Sequence, residues 1–195
     1  MKLVQGRSRL LCTLLVAMIG IASCGSQKPA VLNIGGNFTL TDQDGTPFQL
    51  SSLQGKAVLI FFGYTTCPDI CPTTMSKIAS VYRALGPEAS RLKTLFISVD
   101  TQRDTPPVLK EYLTNFKGID AIGLTGSVNQ INKVTALFGA EYEITPIPGA
   151  KPPEETYSVA HTTEVYALDP AGRTRVIFDY DATVADMTKG IREIL

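Results

Sequence analysis

Val58-Leu59-Ile60-Phe61-Phe62-Gly63-Tyr64-Thr65-Thr66-Cys67-Pro68-Asp69-Ile70-Cys71-Pro72 is the stretch whose reading decides this chain. Its first half is an unbroken apolar run, the pattern of a strand covered on both faces. Its second half sets two thiols four residues apart, just before a helical pattern. His161 is the single histidine of the sequence. Two thiols and one distant imidazole suit a three-ligand soft-metal site, and the same thiols could form a reversible disulfide. On a helix, residues four apart have β-carbons roughly 5–6 Å apart, and a disulfide needs α-carbons about 4.4–6.8 Å apart. Spacing alone permits both chemistries.

Pro72 suits the first helical position, where its missing N–H is no loss. That places both cysteines in the turn before the helix, near its positive end, where thiolates are favoured. Asp69 between them acts in the opposite sense.

Outward from this stretch, strands and helices alternate. Upstream, Asn37 to Asp42 and Pro47 to Leu50 flank Asp44-Gly45 as a hairpin. Downstream, a helix runs from Pro72 to Leu85 with Met75, Ile78, Ala79, Tyr82 and Leu85 on one face, and Gly86-Pro87 stops it. Leu92 to Val99 is a second buried strand. Thr105-Pro106-Pro107 opens a helix to about Phe116, and Ile119 to Leu124 reads as a short strand. Ser127-Val128-Asn129-Gln130 is a capping box for a helix to Phe138, stopped by Gly139. Residues 145–156, with four prolines, read as an irregular loop. Thr162 to Leu168 and Arg173 to Phe178 flank the turn Asp169-Pro170-Ala171-Gly172. Thr183-Val184-Ala185-Asp186 caps a last helix to Leu195. One α/β domain follows, with a mixed sheet and helices on both faces.

The 195 residues are 44% hydrophobic and 18% charged, with 18 basic and 18 acidic side chains. That is enough apolar material for one good core. Lys2, Arg7 and Arg9 precede an apolar stretch from Leu10 to Ile21, an export-signal pattern too short for a membrane span of about 20 residues. Ile21-Ala22-Ser23-Cys24 resembles the lipobox of bacterial lipoproteins. By that resemblance residues 1–23 are a signal peptide, Cys24 carries lipid, and residues 24–36 tether a domain at 37–195 to a membrane. The domain would face the periplasm or cell exterior. Without the signal, 15 basic residues remain against 18 acidic ones. No basic stripe suggests nucleic acid. Cys12 leaves with the signal and Cys24 carries the lipid, so Cys67 and Cys71 are the domain's only thiols. Outside the cytoplasm such a pair is either oxidised or occupied.

The order of elements resembles the thioredoxin fold. More narrowly, Phe62 through Pro72, Ser98-Val99-Asp100, Arg103-Asp104-Thr105-Pro106 and Val159-Ala160-His161-Thr162 resemble the SCO/SenC proteins, over roughly residues 37–195. That resemblance implies a thioredoxin-like fold with an N-terminal β-hairpin, and copper held by Cys67, Cys71 and His161. It also implies a part in building the dinuclear copper centre of cytochrome c oxidase, with a copper-containing oxidase subunit or another copper protein as partner. In thioredoxin-like proteins the loop before the terminal hairpin faces the cysteines; here that loop carries His161. Many family members have an acidic residue before the histidine, where this chain has Ala160. Thiolates favour Cu(I) and imidazole helps hold Cu(II). Zinc would accept the same donors, but no carboxylate base or HExxH pattern accompanies them.

The alternative function is a thiol–disulfide oxidoreductase, with Cys67 attacking and Cys71 resolving. A purely structural disulfide closing so short a loop would stabilise little. Asp100, Arg103 and Asp104 could edge the site or form a solvated loop and helix cap. Tyr64 could shield a metal or fill the core, and the loop 145–156 could fold over the site or be a passive insertion.

Overall fold

The computed structural model describes residues 28–151 and 156–195. The buried run becomes β3 (Ala57–Gly63), every residue of which is buried. It lies between β4 (Leu92–Ser98), parallel to it, and β8 (Val165–Leu168), antiparallel to it. The remaining strands of this sheet are β1 (Thr39–Asp42), β2 (Pro47–Gln49), β5 (Ala121–Thr125) and β9 (Thr174–Phe178). Their order is β2-β1-β5-β4-β3-β8-β9. A separate two-stranded ribbon pairs β6 (Tyr142–Pro146) with β7 (Tyr157–His161).

The helices are α1 (Ile70–Leu85), α2 (Pro106–Leu113), α3 (Val128–Phe138) and α4 (Val184–Ile194). Neighbouring residues of a strand point to opposite faces, and β3 shows it. Phe62 packs on Phe138 of α3, whereas Phe61 packs on Phe96, which meets Tyr112 of α2. Helices thus cover both faces of a mixed sheet, the thioredoxin-like architecture expected. Both capping boxes form: the side chains of Ser127 and Thr183 accept from the amides of Gln130 and Asp186.

The structure departs from the sequence reading in several places. First, α1 begins at Ile70, so Cys71 lies inside its first turn and Pro72 is its third residue. Proline is tolerated there because first-turn amides have no intrahelical acceptor. Second, α2 ends at Leu113, short of Phe116, and Thr105 occupies its N-cap without a side-chain bond. Third, residues 145–156 are not wholly irregular, since β6 runs into them as far as Pro146 and the Ile147 amide donates to the Thr156 carbonyl at 2.9 Å. Proline at the end of an edge strand costs no ladder bond, which is how Pro146 closes β6. Fourth, part of the segment read as tether lies on the body. The Leu32 amide donates to the Thr174 carbonyl at 2.9 Å, the Gly35 amide to the Leu137 carbonyl at 2.6 Å, and Arg175 Nε to the Pro29 carbonyl at 2.6 Å. The signal peptide, Cys12 and Cys24 lie outside the described residues. Among the described residues no helix is long and apolar enough to cross a membrane.

Candidate metal centre

Three segments converge where β3 ends. Tyr64 directly follows the strand, the turn after it delivers Cys67, and the first turn of α1 delivers Cys71. From the far side of the sequence, β7 ends on His161, which therefore sits on a strand of the ribbon rather than in the loop expected for it. The two sulfurs and a ring nitrogen of His161 all lie within 4.8 Å of one another. Both cysteines are free thiols.

Gly63 makes the approach possible. A β-carbon there would lie 2.8 Å from Cys71 Sγ and 2.9 Å from a ring carbon of Phe96. Only a hydrogen fits between strand and sulfur.

The two thiols differ. Cys71 is fully buried and Cys67 is 9% exposed. Burial pushes the Cys67 thiol up, but hydrogen bonds from the amides of Cys71 and Asp69 outweigh it, and the net shift is downward. The Cys71 amide donates to Cys67 Sγ at 3.5 Å. It is one of the unpaired first-turn donors that favour an anion at a helix N-terminus. Cys71 sits within the turn, where burial drives its pKa up. Hydrogen bonding to the Tyr64 backbone offsets this in part, and the Cys67 charge adds to it. The helix end therefore activates one thiol, not both.

His161 is orientated for metal ligation. Its Nδ1 lies 2.7 Å from the Thr162 carbonyl, which requires Nδ1 to donate. Nε2 then carries the lone pair and faces Cys71 Sγ at 3.5 Å. A backbone carbonyl fixing the tautomer in this way is the usual support of a metal-binding histidine. Burial lowers its pKa below the ordinary value, although the Thr162 and Phe62 carbonyls act against it. The ring stays neutral and available at neutral pH. Tyr64 and Phe61 meet its ring edge-on, at 5.7 and 6.0 Å between centroids. Tyr64 is therefore both core and wall of the site.

Asp100 and Asp104 are fully buried, so these two carboxylates are not solvated, although Gln102 and Thr105 beside them are exposed. Asp104 accepts from the Thr65 amide at 2.9 Å, from Thr65 Oγ1 at 2.6 Å and from Ser98 Oγ at 2.5 Å, bracing the turn that leads to Cys67. Burial raises its pKa despite these bonds. Asp100 pairs with Arg103 and accepts from the Tyr157 hydroxyl at 2.7 Å. Nothing in the sequence marks Tyr157 as part of the site. No local pattern marks a tyrosine whose partner lies 57 residues away.

Soft sulfur donors with one imidazole fit copper better than a hard cation. Comparison with known proteins supplies the family. The sequence profile of SCO1/SenC matches residues 26–195. The chain belongs to the SCO1/SenC family. An SCO2-like protein of Rickettsia prowazekii is 38% identical over 156 residues, covering 80% of this chain and 74% of that protein. The structure of Bradyrhizobium japonicum ScoI with copper bound superposes with a TM-score of 0.73 at 38% identity, over 83% of this chain and 99% of that one. BsSco, described with a disulfide switch and as a member of the Sco family of cytochrome c oxidase assembly proteins, gives 0.67 at 25% identity, over 86% and 97%. Copper binding is thus described for one of these Sco relatives and a disulfide switch for another.

Proposed function

We propose that this chain is a membrane-tethered copper-binding assembly protein, which delivers copper to the dinuclear copper centre of cytochrome c oxidase or prepares the cysteines of that centre. Cys67, Cys71 and His161 hold the cargo. The observation that carries this reading is the convergence of two thiols and the Nε2 lone pair within 4.8 Å. Copper-bound ScoI of B. japonicum supports it. The two thiolates are the donors for Cu(I), and the imidazole extends the site to Cu(II). Cys24 is the lipid attachment point. From there residues 25–28 reach at most about 14 Å before the body begins, which holds the domain close to the membrane.

The reduced domain from residue 25 onward is expected to bind one copper. Titration with Cu(II) should bring up thiolate-to-copper charge-transfer absorption in the wild type. The His161→Ala variant should lose Cu(II) affinity by about tenfold or more and keep its Cu(I) affinity. Equal copper loading by wild type and the Cys67→Ser/Cys71→Ser double variant would refute the proposal.

The unequal thiols favour a second reading, a thiol–disulfide oxidoreductase. Cys67 is activated and reachable, and Cys71 is protonated and buried, the division of labour between an attacking and a resolving thiol. Exchange would turn the two thiols into one disulfide and pass two electrons and two protons to a partner disulfide. Turnover by the metal-free domain, undiminished in His161→Ala, would favour this reading over the first.

A further inference from the structure

The ribbon of β6 and β7 is a sheet of its own. It carries His161 but neither thiol, so the place of the imidazole relative to the sulfurs depends on how the ribbon is held. Val159 is buried beneath it, and an apolar contact resists lifting better than sliding, because burial is non-directional. Two directional contacts come from tyrosine hydroxyls, one on each strand. At the far end, Tyr157 donates to Asp100 Oδ1 at 2.7 Å. Its ring lies under the Arg103 guanidinium, 4.1 Å from the centroid. At the near end, Tyr142 donates to Asn132 Oδ1 of α3 at 2.6 Å. Tyr142 is also the cross-strand neighbour of His161, and Tyr157 that of Pro146. The two hydroxyls therefore grip opposite ends of the ribbon.

The far grip is built on the site itself. Asp100 follows β4, and the Val99 amide beside it donates to the Gly63 carbonyl at 2.9 Å. Arg103 also lies over Tyr64, 5.8 Å from the centroid, and Tyr64 walls His161. A buried carboxylate that accepts a phenol and pairs with a guanidinium makes a charge-assisted contact, stronger than a neutral one. With Tyr157 released, the ribbon can tilt about its near end and turn the imidazole away from the sulfurs.

The geometry points to Tyr157 and Tyr142 as positioning residues that hold the His161 ribbon over the thiol pair, and so set the affinity of the site for Cu(II) without setting it for Cu(I). This inference rests on the copper reading of the site. Neither tyrosine is one of the ligands; both act through the ribbon.

The test uses Tyr157→Phe, which keeps the ring beneath Arg103 and removes only the hydroxyl, and the double variant Tyr157→Phe/Tyr142→Phe. Amide hydrogen exchange of the reduced, metal-free domain reads the ribbon directly. Exchange of β6 and β7 should quicken at least about threefold in the single variant and about tenfold in the double, relative to β3 and β4. Cu(II) affinity should fall by about threefold or more and about tenfold or more, respectively. Cu(I) affinity, measured by competition with a chromogenic chelator, should stay within about twofold. Ribbon exchange and Cu(II) affinity both at wild-type values in the double variant would overturn the inference. So would a quickened ribbon with unchanged Cu(II) affinity, or an equal loss of Cu(I) and Cu(II). Wild-type protein that binds neither copper form overturns the copper reading itself, and the exchange data then judge the ribbon contacts alone.

Discussion

Replacing Gly63 by alanine tests whether the strand was built around the sulfur of Cys71. The added β-carbon would stand 2.8 Å from Sγ and 2.9 Å from Phe96 Cε2. Normal carbon contacts begin near ~3.5 Å, so the sulfur has to retreat by about 0.7 Å or the strand has to move by as much. Overpacking of this kind costs about 1–3 kcal/mol. For a domain of this size that lowers the melting temperature by roughly 2–4 °C per kcal/mol. The displacement also exceeds the ~0.5 Å within which a binding constellation must be held. Reduced, metal-free Gly63→Ala should melt several degrees below wild type in a circular dichroism scan, and bind Cu(II) about tenfold more weakly in a spectroscopic titration. A melting point within about 1 °C of wild type, together with unchanged affinity, would show that the sulfur moves aside freely and that the glycine does not position it. Lower stability with full affinity would assign Gly63 to packing alone.

Two further outcomes follow from the electrostatics of the same turn. Iodoacetamide should modify Cys67 far faster than Cys71, with half-maximal rate below pH 9.0, the ordinary thiol value, because only Cys67 is shifted downward and partly exposed. Mass spectrometry of the labelled peptide checks this, and preferential labelling of Cys71 would reverse the division of roles. Asp104→Ala removes the acceptor for two Thr65 donors and the Ser98 hydroxyl. Stranding these groups should cost about 2–4 kcal/mol in urea unfolding. The carboxylate's own burial, which raises its pKa, offsets part of that loss, so a value at the lower end is expected.

The mixed sheet was legible wherever local pattern and burial coincide. Residues 57–63 are apolar without a break and pair on both sides. Ser127 with Gln130, and Thr183 with Asp186, mark helix starts because capping involves residues three apart. α1 starts two residues before Pro72, since proline suits any position of a first turn and Pro72 alone does not say which. Neither β6, whose last two residues fall in the proline-rich 145–156, nor β7 is legible in the sequence, because their stability depends on pairing with each other rather than on either segment's composition.

The sequence by itself determined the inventory of the site: two thiols, one imidazole, and a strand-to-helix turn to hold them. Those are facts of residue type and spacing, and short-range rules suffice to read them. Tertiary structure decided the rest. It brought Nε2 of His161 to 3.5 Å from a sulfur 90 residues away, and it buried Asp100 and Asp104 among partners from three segments. It also split two thiols of identical chemistry into an activated one outside the helix and a protonated one within it. Burial and the direction of a helix-end amide belong to the folded chain as a whole, and no window of sequence contains them.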